Sequence, residues 1–384
     1  MPPDVKLQWI ELSEKALQKN ITSLKKLAGD KLLSVCVKAN AYGHGIKEIV
    51  TMLLKTNSVE YLTVHSMREA IKCRRAGWRK KIMLLGPVEL SDVDAVLEFD
   101  VEPVIFNVEF LKQIGKRADR FNRKVNTHIK LETGTNRQGI IDKDIPAFAE
   151  VYKKFKSLEK PFGASMHFAN IEDTTNHEYA EYQLKEFNRL CDILAEHKIK
   201  PDFRHTASSA ATILFSKTHF DMVRPGIAVY GYWPSKETYL SHRLMGGENN
   251  LFDPVLSWKT RVTQIKKLET DQFIGYGCTY RTTAKSKIVI LPVGYYDGYG
   301  RAMSNLAYVL INGKRSPLRG RICMNLMMAD ITDIPKVKLE SEVTLVGANG
   351  SESLSADNLA DWSNTINYEI LSRLSPEIYR VIVP

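Results

Sequence analysis

The sequence predicts an α/β fold, with an N-terminal (β/α)8 barrel followed by a mostly antiparallel β-domain. Three observations predict it. Eight short runs rich in β-branched and apolar residues alternate with helical stretches before about residue 232. A Pro, Gly, Asn and Ser-bearing segment at 233–253 then breaks the alternation, and strand-like runs separated by turn residues follow from 254.

The eight barrel runs are LLSVCVK, YLTVHS, KIMLLG, VEPVIF, NTHIKLE, FGASMHF, DFRHTAS and MVRPGIAVYG. Segments such as VEFLKQIGKRADRFN and EYQLKEFNRLCDIL lie between them, with apolar residues at helical period, as crossover helices with one buried face require. Beyond the junction, VLSWKTRVTQIKKL, KIVILPVGYYDGYG, AYVLINGKRSP and EVTLVGANG read as strands, with INGK as a hairpin turn and one late helix over 356–372. LQWIEL, near the N-terminus, is also strand-like and outside the barrel count. The expected division is therefore an N-terminal strand segment (1–12) pairing with the C-terminal domain, a barrel (13–240) and a β-domain (241–384).

Composition narrows the class of function. A chain of 384 residues can bury two cores, and 44% hydrophobic with 26% charged residues is a globular balance. No run reaches the ~20 apolar residues of a membrane span, and MPPDVKLQWIELSEK has no secretory pattern. The five cysteines, Cys36, Cys73, Cys191, Cys278 and Cys323, are odd in number and lack metal-ligand spacing, so a reduced cytoplasm and no metal are expected. The net charge of +10 is spread over helical stretches such as KCRRAGWRKK with no nucleic-acid motif around it, and reads as a solvated surface. Neither nucleic acid nor membrane is an expected partner.

A barrel gathers its active site at the carboxyl ends of its strands, so the residues that follow each strand carry the chemistry. Lys38 ends the first run and opens KANAYGHG. A lysine in a partly desolvated mouth can form an imine, although this segment alone fits a surface lysine equally well. Lys130 and Glu132 share a strand face by period-2 geometry, with Arg137 in the loop beyond; an ion pair capping the strand is the bland account. His167 ends the sixth run, where a hydrogen-bonded structural histidine is the commoner case. Ser208 and Ser209 follow the seventh run and Arg224, Gly226 and Ile227 belong to the eighth, where barrels commonly bind phosphate. An imine lysine on one side and a phosphate cradle on the other suit pyridoxal phosphate.

Seven motifs, VKANAYGHG, HIKLETGTNRQG, MHFAN, VRPGIAVYG, IGYGCTY, PVGYYDGYGR and GRICMN, occur in this order along nearly the whole chain. Together they resemble the alanine racemase family, pyridoxal-phosphate enzymes of fold type III. The resemblance implies racemisation of L- and D-alanine by two bases in a homodimer with shared active sites. It implies that Lys38 carries pyridoxal 5'-phosphate and serves one face, with Tyr276 of the partner subunit serving the other. Tyr42, Ser209, Gly226, Ile227 and Tyr368 match phosphate contacts, and Arg224 matches the arginine facing the pyridine nitrogen, with His167 between it and the opposing tyrosine. Arg137 and Met324 match substrate-carboxylate contacts. Tyr295 matches an entrance residue, and Lys130 the lysine that many relatives carbamylate. Departures lie at Asn325, where aspartate is common, at Glu132, also commonly aspartate, and at Thr135, commonly methionine. The Asn325 amide could admit serine or a broader set of amino acids. A barrel decarboxylase would pair the ring nitrogen with an acid rather than Arg224, and a non-catalytic pyridoxal-phosphate-binding protein would lack the β-domain bearing Tyr276 and Met324.

Overall fold

The computed structural model describes residues 7–173 and 176–384, excluding the side chains of 159–161. Two compact units emerge. One comprises Ala16–Ala39 and Ile49–Asp253; the other comprises the described residues up to Lys15, Asn40–Glu48 and Pro254–Pro384.

After β1 (Gln8–Ser13), which belongs to the second unit, the first unit contributes eight parallel strands. They are β2 (Leu32–Cys36), β3 (Tyr61–Val64), β4 (Lys81–Leu84), β5 (Glu102–Ile105), β6 (Val125–Lys130), β7 (Leu158–Ser165), β8 (Phe203–His205) and β9 (Met222–Val223). Their order is β8-β7-β6-β5-β4-β3-β2-β9, as the eight runs predict. No ladder joins β8 to β9. The ring is completed there by Asp221 N–H to the Arg204 carbonyl at 3.0 Å, Arg204 N–H to the Asp221 carboxylate at 2.7 Å and Arg224 N–H to the Ala207 carbonyl at 2.9 Å.

β9 is far shorter than the run 222–231 suggested. Pro225 has no N–H to give a ladder, and Ile227–Tyr230 winds into a 3-10 turn. Tyr61, Met83, Val104 and Met222 pack into one apolar cluster from four of the barrel's strands. Helices cover the outside. Val108–Arg120 starts where the Asn107 side chain accepts the Glu109 and Phe110 amides, and it buries Leu111, Ile114 and Ala118 on one stripe. Glu178–Glu196 buries Ala180, Phe187, Leu190 and Leu194 in the same way; each large side chain so buried contributes roughly 1.5–3 kcal/mol. The segment 233–253, expected as an irregular junction, holds the helix Lys236–Leu244, which begins where the Ser235 hydroxyl accepts the Thr238 amide at 3.0 Å.

The second unit is mostly antiparallel. Its strands are β10 (Leu256–Arg261), β11 (Gln264–Leu268), β12 (Ser286–Leu291), β13 (Tyr308–Ile311), β14 (Lys314–Pro317), β15 (Met327–Asp330), β16 (Glu342–Asn349), β17 (Glu352–Leu354) and β18 (Tyr379–Val383). One sheet runs β14-β13-β16-β10-β1-β18, with β17 on β16, and a second runs β11-β12-β15. β1 pairs antiparallel with β10 and parallel with β18; residues 1–6 of the expected N-terminal strand segment lie outside the described residues. The INGK hairpin forms, with Asn312 and Gly313 both at positive φ (49° and 72°). The single late helix does not. It divides into Ala356–Ser363 and Asn367–Ser372 because Asn364 takes a left-handed C-cap at φ 52°.

Candidate active site

Lys38 is not the last residue of its strand. It lies two residues beyond β2 and opens a short helix, Lys38–Tyr42, in which Ala39, Asn40, Ala41 and Tyr42 all have φ between 51° and 55°. Such a run of left-handed L-residues costs roughly 1–2 kcal/mol per residue, so its surroundings must hold it. Glu69 does so on the barrel side. Its carboxylate accepts the Ala39 amide at 2.7 Å through one oxygen and the His65 and Ser66 amides at 2.8 and 3.2 Å through the other.

At the end of β6, Lys130 is buried, and its pKa falls to about 8. Burial is the main cause, followed by the cations of Arg137 and Arg224, with Lys38 adding to them; Glu132 opposes. The Glu132 carboxylate is not spent on capping the strand with an ion pair. It accepts the amides of Gly134, Asn136 and Arg137 at 2.8, 3.0 and 3.3 Å, which folds the loop that carries Arg137. Thr135 donates from this loop to the His167 carbonyl at 2.5 Å, and the buried Gln183 amide donates to Thr133, Thr135 and His167 while accepting the Ala169 amide. Gln183 sits on the buried stripe of its helix, where periodicity reads it as filler among apolar residues.

His167 is pushed down to about 3, first by burial and then by Arg224, Arg137, Lys130 and Lys38. Its ring is neutral at physiological pH. Arg224 is lowered by burial to about 10 and stays a cation. Its guanidinium donates to the carbonyls of His205 and Met166 at 2.5 and 2.9 Å and to the His205 ring. Beside it, the Ser209 hydroxyl accepts the Gly226 amide at 2.9 Å and the Ala228 amide at 3.4 Å, which gathers Ser209, Gly226 and Ile227 at the starts of two short turns. The barrel unit thus sets Lys38, Arg137 and Arg224 close enough to act on both Lys130 and His167, with the Glu132 carboxylate opposing them at Lys130.

The β-unit carries the remaining expected residues. The rings of Tyr42 and Tyr368 lie 6.1 Å apart. Tyr276 is 72% exposed on a turn between Gly275 and Gly277, both at positive φ, where a Cβ would meet Met328 and Arg321. Cys323 N–H to the Leu326 carbonyl closes a turn that presents Met324 and Asn325 to solvent. Tyr295 and Tyr296 run alongside it, their amides bonded to the Cys323 and Met324 carbonyls at 3.1 and 3.0 Å.

Known proteins match the chain over nearly its whole length. Residues 12–234 match the alanine racemase N-terminal domain and 255–382 the alanine racemase C-terminal domain. The chain belongs to the alanine racemase family. It is 35% identical to the alanine racemase of Leptospira interrogans over 99% of this chain and 97% of that protein. Against the alanine racemase of Halothermothrix orenii it is 37% identical over 97% of this chain and 96% of that protein. A crystal structure of Bacillus anthracis alanine racemase with bound L-Ala-P superposes with a TM-score of 0.90 at 33% identity, covering 100% of this chain and 96% of that one.

The family depends on pyridoxal phosphate, and the barrel residues fit that group. A phosphate and a phenolic oxygen bring negative charge to the cations of Lys38, Lys130, Arg137 and Arg224, and the Ser209 hydroxyl, which accepts the Gly226 amide and still has its own proton to donate, has the donor chemistry for phosphate beside the Ile227 turn.

Proposed function

We propose that the chain interconverts L- and D-alanine with pyridoxal 5'-phosphate at the barrel mouth, as a homodimer in which Tyr276 serves the active site of the partner subunit. The observation that carries this reading is the convergence of Lys38, Lys130, Arg137 and Arg224 around a neutral His167. That field suits a phosphorylated cofactor and an amino-acid carboxylate together. When bound, the cofactor acidifies the α-hydrogen of an amino acid joined to it.

Lys38 tethers the cofactor at rest and moves the α-proton on one face of the substrate. Its left-handed tether fixes where the amine can reach. Tyr276 moves the proton on the other face, and its exposure leaves the phenol available to a second subunit. Arg137 holds the substrate carboxylate and Met324 offers it a backbone amide. Ser209, Gly226 and Ile227 hold the phosphate, with Tyr42 and Tyr368 keeping the role the resemblance gives them. Arg224, a permanent like charge, keeps the pyridine nitrogen unprotonated. His167 stays a neutral hydrogen-bonding group, and Tyr295 and Asn325 line the entrance.

Apolar exposure supports the homodimer. Phe273, Tyr276, Tyr296, Leu306, Met324 and Leu326 are all exposed on the β-unit, on loops that hydrogen-bond to one another or lie beside those that do. Among the described residues no helix is long and apolar enough to cross a membrane. The buried thiols of Cys36, Cys73 and Cys191 are not in disulfides, which suits a reducing compartment such as the cytoplasm.

The test is incubation of the cofactor-loaded enzyme with each L-amino acid and chiral chromatography of the products. D-alanine should dominate. Borohydride should fix the cofactor to the Lys38 peptide, and Tyr276→Phe should slow α-proton removal from one alanine enantiomer far more than from the other. Labelling at another lysine, equal loss for both enantiomers, or a monomer in sedimentation would each remove the corresponding part of the reading.

A further inference from the structure

Beneath the mouth, a line of polar side chains crosses the barrel interior. The Glu102 carboxylate on β5 accepts Lys81 Nζ at 2.8 Å and Asn126 Nδ2 at 3.0 Å through Oε1, and meets His128 Nε2 at 3.2 Å through Oε2. Tyr61 lies near the same carboxylate, and burial together with that charge pushes its phenol pKa up. His128 Nδ1 lies 2.9 Å from His205 Nε2, and His205 Nδ1 meets the guanidinium of Arg224. Glu102, His128 and His205 are buried, and the His128 ring stands edge-on to Phe203. Gly163 on β7 makes room for it: a Cβ there would lie 2.3 Å from His128 Nδ1.

One proton arrangement satisfies this line. Arginine only donates, so His205 Nδ1 must accept, and a neutral His205 then carries its proton on Nε2. That proton points at His128 Nδ1, which must accept in turn and leave the His128 proton on Nε2, facing Glu102. Burial pushes the Glu102 carboxyl up, but the hydrogen bonds from His128, Lys81 and Asn126 outweigh it, and with the Lys81 ammonium 2.8 Å away an anion ends the line. Burial and Arg224 hold His205 neutral. Every bond therefore runs one way, Arg224 to His205 to His128 to Glu102, and each polarises the next.

We propose that Glu102 is a positioning residue for Arg224, acting across the barrel through the tautomers of His128 and His205. The proposal rests on the reading that Arg224 faces the cofactor ring, and extends it to the far end of the barrel. The logic of a neutral amide shows how. In Glu102→Gln, Lys81 and Asn126 demand an acceptor at the Oε1 site, which turns the amide N–H toward His128. His128 must then accept at Nε2 and donate from Nδ1, His205 inverts likewise, and an N–H faces the guanidinium. Two donors cannot share that position, so Arg224 has to move.

The test is nitrogen NMR of histidine-labelled, cofactor-loaded enzyme, combined with steady-state kinetics. In the wild type, His128 and His205 should both be neutral Nε2–H tautomers. Glu102→Gln should invert both and lower kcat about tenfold with KM changed less than about twofold, the size expected of one mispaired buried group. The wild-type spectrum decides even if the variant does not fold: an Nδ1–H tautomer or an imidazolium at either position overturns the relay. So does a Glu102→Gln enzyme with both tautomers unaltered. Inverted tautomers with unchanged kcat would keep the relay but overturn the coupling to Arg224, and the place of Arg224 at the cofactor with it, while the racemase reading would still stand on the chiral assay.

Discussion

The Glu69 carboxylate accepts the Ala39 amide at 2.7 Å, one residue past Lys38. The same side chain completes a capping box with Ser66 at the start of the helix Met67–Arg75, so one carboxylate ties a helix cap to the lysine's left-handed turn. Glu69→Ala should cost about 2 kcal/mol of stability in urea unfolding, because three amides lose their acceptor. It should also lower kcat about tenfold in steady-state assays, as the lysine drifts from its reach. Lost stability with unchanged turnover would show that Glu69 serves the helix alone.

Lys130 supplies a test by pH. With its pKa at about 8, the neutral amine predominates above that pH, whereas an ordinary lysine stays protonated to about 10.4. Only the neutral amine attacks CO2, forming a carbamate and releasing a proton. The product is an anion, which turns repulsion from Arg137 and Arg224 into attraction. In 13C-labelled bicarbonate, a carbamate resonance that Lys130→Ala abolishes should therefore grow as apoenzyme is taken upward through about pH 8. A signal that is absent, or that persists in Lys130→Ala, rules the site out.

How much of this was legible in the sequence depends on where a residue stands along its strand. Lys38, Lys130, His167 and Arg224 lie at or beyond strand ends, where barrel chemistry collects, and motif order could find them. Glu102 opens β5 and His128 lies inside β6, away from the carboxyl ends, and VEPVIF gives no sign that its glutamate points inward at a histidine. Only the strand register pairs Val104 with His128 and brings the two side chains to one interior. Gln183 was hidden by the opposite effect, since a polar residue at a buried helical position is indistinguishable by period from a tolerated exception. The late helix divides because Asn364 takes a left-handed cap and the Thr365 amide bonds back to the Ala360 carbonyl, a turn that asparagine permits but its presence in the sequence does not demand.

His167 makes the last prediction, with a definite sign. Its folded pKa, about 3, lies far below the ~6.5 of an unfolded histidine, so between those values the unfolded chain binds a proton that the folded one refuses. Its contribution to stability is therefore whole above about pH 6.5 and is lost as pH falls toward 3. His44, at about 3, and His205, held well below the ordinary histidine value by burial and Arg224, act in the same direction. In apoenzyme, where no cofactor anion offsets Arg224 and Lys38, urea unfolding between pH 6.5 and 4 should show stability falling steeply, and His167→Gln should remove about one proton from that dependence. In the loaded enzyme the same substitution should leave the acid limb of kcat/KM where it stands, because a ring that never becomes imidazolium cannot set it. An acid limb that moves with His167→Gln would make the ring a working acid and overturn its assignment as a neutral hydrogen-bonding group.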